Sequence, residues 1–407
     1  MFYILIKINK LTVGYYYHIP IYNKNKQVFV PGYLGVFLDA LASEVKVLYL
    51  FMHEGNQQQQ VEADYELQQK NIVFINLGPT VPAWYRHLFH KKILQKIIPF
   101  AEICDVIIIR SPTPLAPFFK NYITKPKLFF MVVGDYLEGA KQFKIRGLRD
   151  WVMVQYLKRN DYLFREAMRT TNVLVNAPDL LNKYKNTSLS INLIRTTTLT
   201  KNDFFEREDT CGNDLIKILY TGRIEAAKGL FELVAAVAEL NNNNLNVQLN
   251  IVGWEANNNK EVEKALLDKA LELKIIEKVI FYGKKKLGEE LNAMYRQADI
   301  YVIPSYHEGF PRTIWEAMAN SLPVVATSVG GIPDYLKHGE SALFVEPKNI
   351  NDLVIKIEEI IKNKMLRIKL IKNGYALAQT NTIETQTNNL VNIINTTLLT
   401  HEQKMVK

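Results

Sequence analysis

The chain has 407 residues, of which 22% are charged and 48% hydrophobic, with a formal net charge of +9. That length exceeds what a single core serves and predicts two domains, while the balance of residue types excludes a disordered or fibrous chain. Its two cysteines, Cys104 and Cys211, have no metal-type spacing, which excludes a disulfide framework and points to a reducing cytoplasm.

The opening "MFYILIKINK" has an apolar run too short for a signal peptide and interrupted by a lysine. No later stretch approaches the ~18 apolar residues of a membrane span. The expectation is a cytoplasmic protein, soluble or peripheral on the inner face of a membrane. Strands are predicted at 2–7, 45–50, 73–77, 106–110, 127–133 and 173–176, with helices at 36–43, 89–101 and 148–169 between them. Within "YRHLFHKKILQKIIPF", residues 85–100, Phe89, Ile93 and Ile97 fall at helical spacing beside Leu94 and Ile98. Arg86, His87, His90, Lys91, Lys92 and Lys96 fill much of the rest, so the segment reads as a basic amphipathic helix. Such a helix suits an anionic membrane surface, or packs its stripe on its own domain. The charge is uneven along the chain: residues 1–200 hold 25 Lys and Arg against 14 Asp and Glu, a net +11, whereas the remainder holds 25 against 27, a net −2. The first half therefore suits an anionic partner, or presents a solvated basic face. No nucleic-acid recognition motif accompanies it, so nucleic acid is not expected.

The strand–helix cycle restarts at "LIKILYTG", 215–222, and continues through "LNVQLNIVG", "KVIFYG", "DIYVIP", "LPVVAT" and "ALFVEP". Two such cycles predict an α/β protein with two doubly wound parallel sheets. The polar segment 196–214 reads as a linker between a domain at 1–195 and one at 215–380, and 381–407 as a C-terminal helix packing back towards the first domain.

Ligands of open parallel sheets bind at the carboxyl ends of the strands. After "KILY" comes "TGRIEAAKGL", where Gly222 precedes Arg223 and Lys228 stands at the start of a helix. Two cations there suit phosphate oxygens, although neither a P-loop nor a dinucleotide fingerprint is present. Ordinary helix-flanking charges would share this spacing. After "DIYVIP" comes "SYHEGF", with Pro311 expected at the first position of the next helix. Glu308 is then held in a loop and Glu316 on an early turn of an otherwise apolar helix, where a buried carboxylate is costly unless paired. The backbone of Gly309, Phe310, Pro311, Arg312 and Thr313 is expected to face the strand ends. Carboxylates accept hydrogen bonds from vicinal hydroxyls, so the set suits a polyhydroxylated, phosphorylated ligand such as a nucleotide sugar.

Residues 303–346 resemble the signature of the retaining glycosyltransferases of the GT-B fold, family 4: "EGFP", a second Glu eight residues after the first in "EAMA", then "PVVAT" and a Gly pair. "TGRIEAAKGL" resembles the family's G-R-x(4)-K-G element, and "KVIFYGKK" and "LNAMYRQADIYVIPSYHEGF" add to the likeness. The first domain is similar only in outline, through "PGYLGVFLDALASEVKVLYL". The resemblance implies two Rossmann-like domains facing a cleft. It implies transfer of a sugar, with retention, from a nucleotide diphosphate sugar to a glycan or lipid-linked acceptor, of the kind used in bacterial-type surface polysaccharide or glycolipid synthesis. Arg223 and Lys228 would bind the diphosphate and Glu316 the ribose hydroxyls. Glu308 and the backbone of Gly309, Phe310 and Pro311 would meet the donor sugar. Tyr282 and Gly283 would border the base. No Asp-x-Asp occurs, so no metal or other cofactor is expected.

Many relatives place a histidine after the strand corresponding to "KLFFMVV"; here "GDYLE" follows. Asp135 is a candidate to orient a sugar hydroxyl or assist proton loss from the acceptor, or else a helix N-cap with Glu138 three residues on. Gly32 and Gly35 would let backbone approach the phosphate or the acceptor, or form a turn. His18 reads as incidental in a polar aromatic loop. Two alternatives stand beside this reading: a GT-B enzyme of another reaction type, such as a phosphorylase or a nucleotide-sugar epimerase, and a non-catalytic partner subunit.

Overall fold

The protein is described by a computed structural model covering residues 10–24, 27–56, 63–137, 147–255 and 259–405, with side chains to residue 400. It divides into two compact units, Met1–Thr196 with Gln386–Lys407, and Thr197–Thr385.

The first unit contains β1 (Thr12–Tyr16), β2 (Tyr22–Lys24), β3 (Gln27–Val30), α1 (Gly32–Glu44), β4 (Val47–Glu54), β5 (Tyr65–Glu66) and β6 (Ile72–Pro79). Three short helices follow: α2 (Ala83–Leu88), α3 (His90–Leu94) and α4 (Ile98–Ala101). Then come β7 (Val106–Ser111), β8 (Lys127–Val132), α5 (Leu148–Met168), β9 (Asn172–Val175), α6 (Pro178–Tyr184) and β10 (Ser190–Leu193). Seven strands pair in the order β10-β9-β8-β7-β1-β4-β6, all parallel. Core residues alternate between its two faces. Val13, Tyr15, Leu48, Leu50 and Ile108 join one cluster, and Tyr16, Phe51, Ile107, Ile109 and Phe130 the other. Burial on both faces explains why β7 reads as the near-continuous apolar run "VIII".

The strand expected at 2–7 lies outside the described residues. The central strand β1, "TVGYY", was not anticipated, because Gly14 and the tyrosines dilute its apolar pattern. Gly14 is required: a Cβ there would lie 2.7 Å from Phe51 and 2.9 Å from Ile107. A small antiparallel sheet, β2-β3-β5, was also missed. The continuous basic helix expected over 89–101 is broken between α3 and α4, and Ile93, Leu94 and Ile97 are buried in the unit's own core.

The second unit contains β11 (Ile216–Arg223), α7 (Leu230–Asn242), β12 (Val247–Trp254), α8 (Glu261–Glu272), β13 (Val279–Gly283), α9 (Glu289–Arg296) and β14 (Ile300–Ile303). It continues with α10 (Thr313–Ala319), β15 (Val324–Thr327), α11 (Ile332–Tyr335), β16 (Leu343–Val345), α12 (Ile350–Lys362) and α13 (Lys364–Gln379). Its six strands are parallel in the order β13-β12-β11-β14-β15-β16. The last helix, α14 (Ile383–Met405), places Leu390 and Ile394 in the core of the first unit.

The segment expected as a linker, 196–214, is instead packed into the second unit from Thr197 onward. Leu199 is buried in its core, and Arg207 donates to the carbonyls of Arg296, Ala298 and Asn320, each at 3.0 Å. Asp209 accepts two hydrogen bonds from Arg367, at 2.6 and 2.9 Å. These contacts join residues far apart in sequence, so no local periodicity announces them.

Candidate functional site

In the second sheet β11 continues to β12 and β13 on one side, while β14 pairs on the other, so the strand order reverses between β11 and β14. That is where an open α/β sheet leaves a crevice at its carboxyl edge. Both motifs singled out in the sequence leave the sheet at this point.

β11 ends at Arg223, and a 3-10 turn, Ala226–Lys228, carries Lys228 to the start of α7. Gly229 follows with φ 68°, and a Cβ there would stand 2.1 Å from the Pro304 carbonyl oxygen. Only glycine meets both the left-handed backbone and this close approach. The turn is thereby pressed against the exit of β14, where Tyr306 N donates to the Ala227 carbonyl at 2.9 Å. Across that contact Lys228 Nζ donates to Glu308 Oε1 at 2.6 Å, and Ser305 Oγ donates to the same oxygen at 2.8 Å. The lysine and glutamate side chains are 16% and 13% exposed, so the pair is mostly withdrawn from water but reachable. Arg223 is more open, pairing with Glu225 at 2.9 Å.

The loop after β14 is held from the far side as well. Gly331 N donates to the Gly309 carbonyl at 2.6 Å, and a Cβ on Gly330 would lie 1.7 Å from the Glu308 carbonyl oxygen. The Gly pair therefore allows the loops after β14 and β15 to touch. Phe310 stacks on Trp315 at 4.6 Å and meets Tyr335 edge-on at 4.9 Å, so its ring is committed to local packing. The helix begins at Thr313 with Arg312 as its N-cap, two residues later than the expected start at Pro311. Pro311 belongs to the entry turn, its carbonyl accepting from Ile314 N at 3.2 Å.

Glu316 is 8% exposed on α10 and is satisfied within the protein. Thr198 Oγ1 donates to Oε1 and Tyr295 Oη to Oε2, both at 2.8 Å. Tyr295 Oη also lies 2.7 Å from Thr221 Oγ1, which is 3.3 Å from Tyr301 Oη, and Tyr301 donates to Thr313 Oγ1 at 2.6 Å. Burial first, and then the Glu316 charge, push the Tyr295 hydroxyl well above its usual pKa, so it stays a donor. An ionised carboxylate has about four acceptor sites, and two of those on Glu316 remain for other donors. Ser305, Thr198, Thr221, Tyr295 and Tyr301 had no local signal, since each meets its partner only through the fold.

The remaining candidates fall elsewhere. Gly222, next to last in β11, has φ 149°, and Gly253 beside it has no room for a Cβ, which would lie 1.8 Å from the Gly222 carbonyl oxygen. Tyr282 and Gly283 end the edge strand β13, two strands and so roughly 10 Å across the sheet from β11. Asp135, in the first unit, is ion-paired with Lys183 through Oδ2, and Oδ1 accepts from Leu137 N at 2.7 Å. Oδ1 thus makes a capping contact while Oδ2 is held by the lysine; Glu138 lies outside the described residues. Gly32 and Gly35 lie in a helix and not in a loop or turn. Both lie in α1, where Gly32 N donates to Asp64 Oδ1 at 2.8 Å and a Cβ on Gly35 would stand 2.1 Å from the Tyr65 ring.

Parts of the chain are similar to known proteins. An uncharacterized glycosyltransferase of Methanocaldococcus jannaschii is 31% identical over 170 residues, 42% of each chain. The capsular polysaccharide biosynthesis glycosyltransferase CapM of Staphylococcus aureus is 28% identical over 176 residues, 43% of this chain and 44% of that one. The chain thus spans less than half the length of these curated relatives. Among solved structures, the Anabaena protein HepE in complex with UDP-glucose superposes with a TM-score of 0.67 at 17% identity, covering 95% of this chain and 100% of the other. That likeness establishes the fold, two parallel-sheet α/β domains of the GT-B kind. Residues 202–377, within the second unit, match the family of glycosyl transferases group 1.

Proposed function

We propose that this chain is a glycosyltransferase that takes a nucleotide diphosphate sugar as donor and works with retention and without a metal. The observation that carries the reading is the Lys228–Glu308 pair at the strand-order reversal, 2.6 Å apart. The group 1 match over 202–377 and the UDP-glucose seen on HepE support it. Breaking an anomeric C–O bond builds positive charge on the sugar and negative charge on the departing diphosphate. Lys228, with Arg223 five residues before it at the end of β11, is a preset cation for that leaving group, held in place so that little reorganisation accompanies the reaction. Glu308 then exchanges its lysine for sugar hydroxyls, and the free acceptor sites of Glu316 take the ribose. A non-catalytic partner would need none of these charges.

The acceptor is a glycan or a lipid-linked sugar, in surface polysaccharide or glycolipid synthesis; the likeness to CapM favours this. No helix among the described residues is long and apolar enough to cross a membrane. Peripheral contact would use Trp84, Leu88 and Phe89, which are 55%, 65% and 44% exposed beside the exposed Lys91 and Lys92. Leu148, Trp151 and Val152 of α5 are likewise exposed, and α2 meets that helix through His87 and Tyr156, 5.9 Å apart.

The test is to titrate UDP and a panel of nucleotide sugars, then follow transfer by NMR of the anomeric proton. Retained configuration, with nucleotide release in the presence of a chelator, is expected. Free exchange of sugar phosphate, or an epimer formed from donor alone, would replace the reading with a phosphorylase or an epimerase. Sedimentation with anionic but not neutral vesicles is the expected membrane result.

A further inference from the structure

We propose that the carboxyl edge of the first unit's sheet is a second phosphate site, in which Arg86 and Arg110 hold a phosphate monoester carried by the acceptor. That the ligand is an acceptor rests on the glycosyltransferase reading; that the edge binds phosphate does not.

The placement comes first. From β1 the chain proceeds to β4 and β6 on one side, and β7 pairs with β1 on the other, so this sheet also reverses between two neighbours. Four contiguous parallel strands deliver polar side chains to that edge. β1 runs into His18, β4 carries His53 near its end, β6 leads to Arg86 on α2, and β7 carries Arg110 near its end.

The charges are what need explaining. Arg86 is only 7% exposed; Nη1 donates to the Val81 carbonyl at 2.7 Å, and its buried Nε has no partner. The Arg110 guanidinium lies 4.7 Å from the centre of the Tyr17 ring, with Nη1 3.5 Å from Tyr15 Oη, and its Nε is also buried without a partner. Among the described residues neither arginine has a carboxylate partner. His53 is 1% exposed, with Nδ1 3.0 Å from the Pro79 carbonyl and Nε2 unpartnered. His18 senses the whole group: burial first, then Arg86, Arg110 and His53, push its pKa down to about 4. It is therefore neutral at pH 7 and able to donate from one ring nitrogen.

A buried guanidinium without a counter-ion is costly, and structures normally pair it. A buried Arg86 and a partly buried Arg110, each with an unpartnered buried Nε at one sheet edge, are what a dianion would complete. A phosphate monoester matches both the charge and the forked donors of arginine.

The experiment is calorimetric titration of the full chain with inorganic phosphate, glucose 6-phosphate and glucose, and with dodecyl phosphate in neutral micelles. Phosphate and glucose 6-phosphate should bind and glucose should not. Arg86→Gln and Arg110→Gln should each weaken binding by about tenfold or more, while Lys264→Ala, at an exposed position of α8 in the second unit, should leave it unchanged. Should Arg86→Gln fail to fold, Arg86→Lys, which keeps the charge, should bind while Arg110→Gln does not. Undiminished phosphate affinity in both glutamine variants, or an equal loss in Lys264→Ala, overturns the proposal. Tighter binding of dodecyl phosphate than of glucose 6-phosphate assigns the group to a lipid, and the reverse order to a soluble sugar. UDP is titrated into the same variants: its failure to bind while phosphate binds sinks the donor reading alone.

Discussion

The two sheets end in different kinds of site. At the carboxyl edge of the second sheet the candidate charges have partners: Lys228 holds Glu308, Arg223 holds Glu225, and Glu316 accepts from Thr198 and Tyr295. At the corresponding edge of the first sheet, Arg86 donates to backbone and Arg110 lies against tyrosine rings, and among the described residues neither has a carboxylate partner. A paired site binds by exchange, because its ligand must displace an internal partner and give back equivalent hydrogen bonds. An unpaired site binds by completion. Exchange favours a ligand matched group for group, whereas completion favours any ligand of the right charge and size.

The largest effect should come from breaking the exchange site. Lys228→Ala is expected to lower sugar transfer by about two to three orders of magnitude, comparable to losing one transition-state donor, with circular dichroism unchanged. Arg223→Ala should cost less, because that side chain is 55% exposed and its charge is screened by water. Equal losses from the two would mean that the paired lysine has no special place in the site.

Next is the backbone that creates the pair. Gly229→Ala sets a Cβ 2.1 Å from the Pro304 oxygen at φ 68°. It should destabilise the second unit by about 1–3 kcal/mol in urea unfolding and also lower transfer, because Lys228 and Glu308 separate. Normal activity in that variant would show that the close approach is not what aligns them.

Tyr295→Phe and Thr198→Val each leave one buried oxygen of Glu316 without its donor, for a loss of about 1–3 kcal/mol of stability. Glu316→Gln should lose less stability than these single deletions but should weaken UDP. If all three variants unfold alike and bind UDP alike, Glu316 is a structural acceptor only.

The smallest effect distinguishes the completion site by pH. His18 has a folded pKa near 4, below its unfolded value of about 6.5. As pH falls from 6.5 towards 4 the unfolded chain takes up a proton that the folded chain refuses, so stability declines across that window and levels off below it. Above 6.5 this contribution is flat. Phosphate, by adding negative charge beside Arg86, Arg110 and His53, should raise the His18 pKa and reduce the slope. Urea midpoints at pH 7.5 and 5, with and without phosphate, measure this; a slope indifferent to phosphate would place the anion away from His18.

Part of this was legible in the chain before any folding. The alternation of apolar runs with amphipathic segments carried the two-sheet architecture, because a strand buried on both faces must be apolar throughout. "TGRIEAAKGL" and "SYHEGF" marked the donor edge, because loops at strand ends carry charges that packing does not explain. β1 escaped notice because its burial comes from neighbours on both sides, and a glycine with three consecutive tyrosines shows no apolar period. The segment 196–214 passed for a linker because Arg207 and Asp209 find their partners about 90 to 160 positions away.

By itself, then, the sequence determined what local chemistry can encode: the sheet class, the motif loops, and glycines where a backbone must turn or touch another. Tertiary structure alone decided which charges meet. Lys228 and Glu308 stand 80 positions apart, and Arg86 and His53 lie on different elements, α2 and β4. A side chain's partners are set by strand order, and strand order is settled by burying whole faces against one another, which no window of neighbouring residues contains.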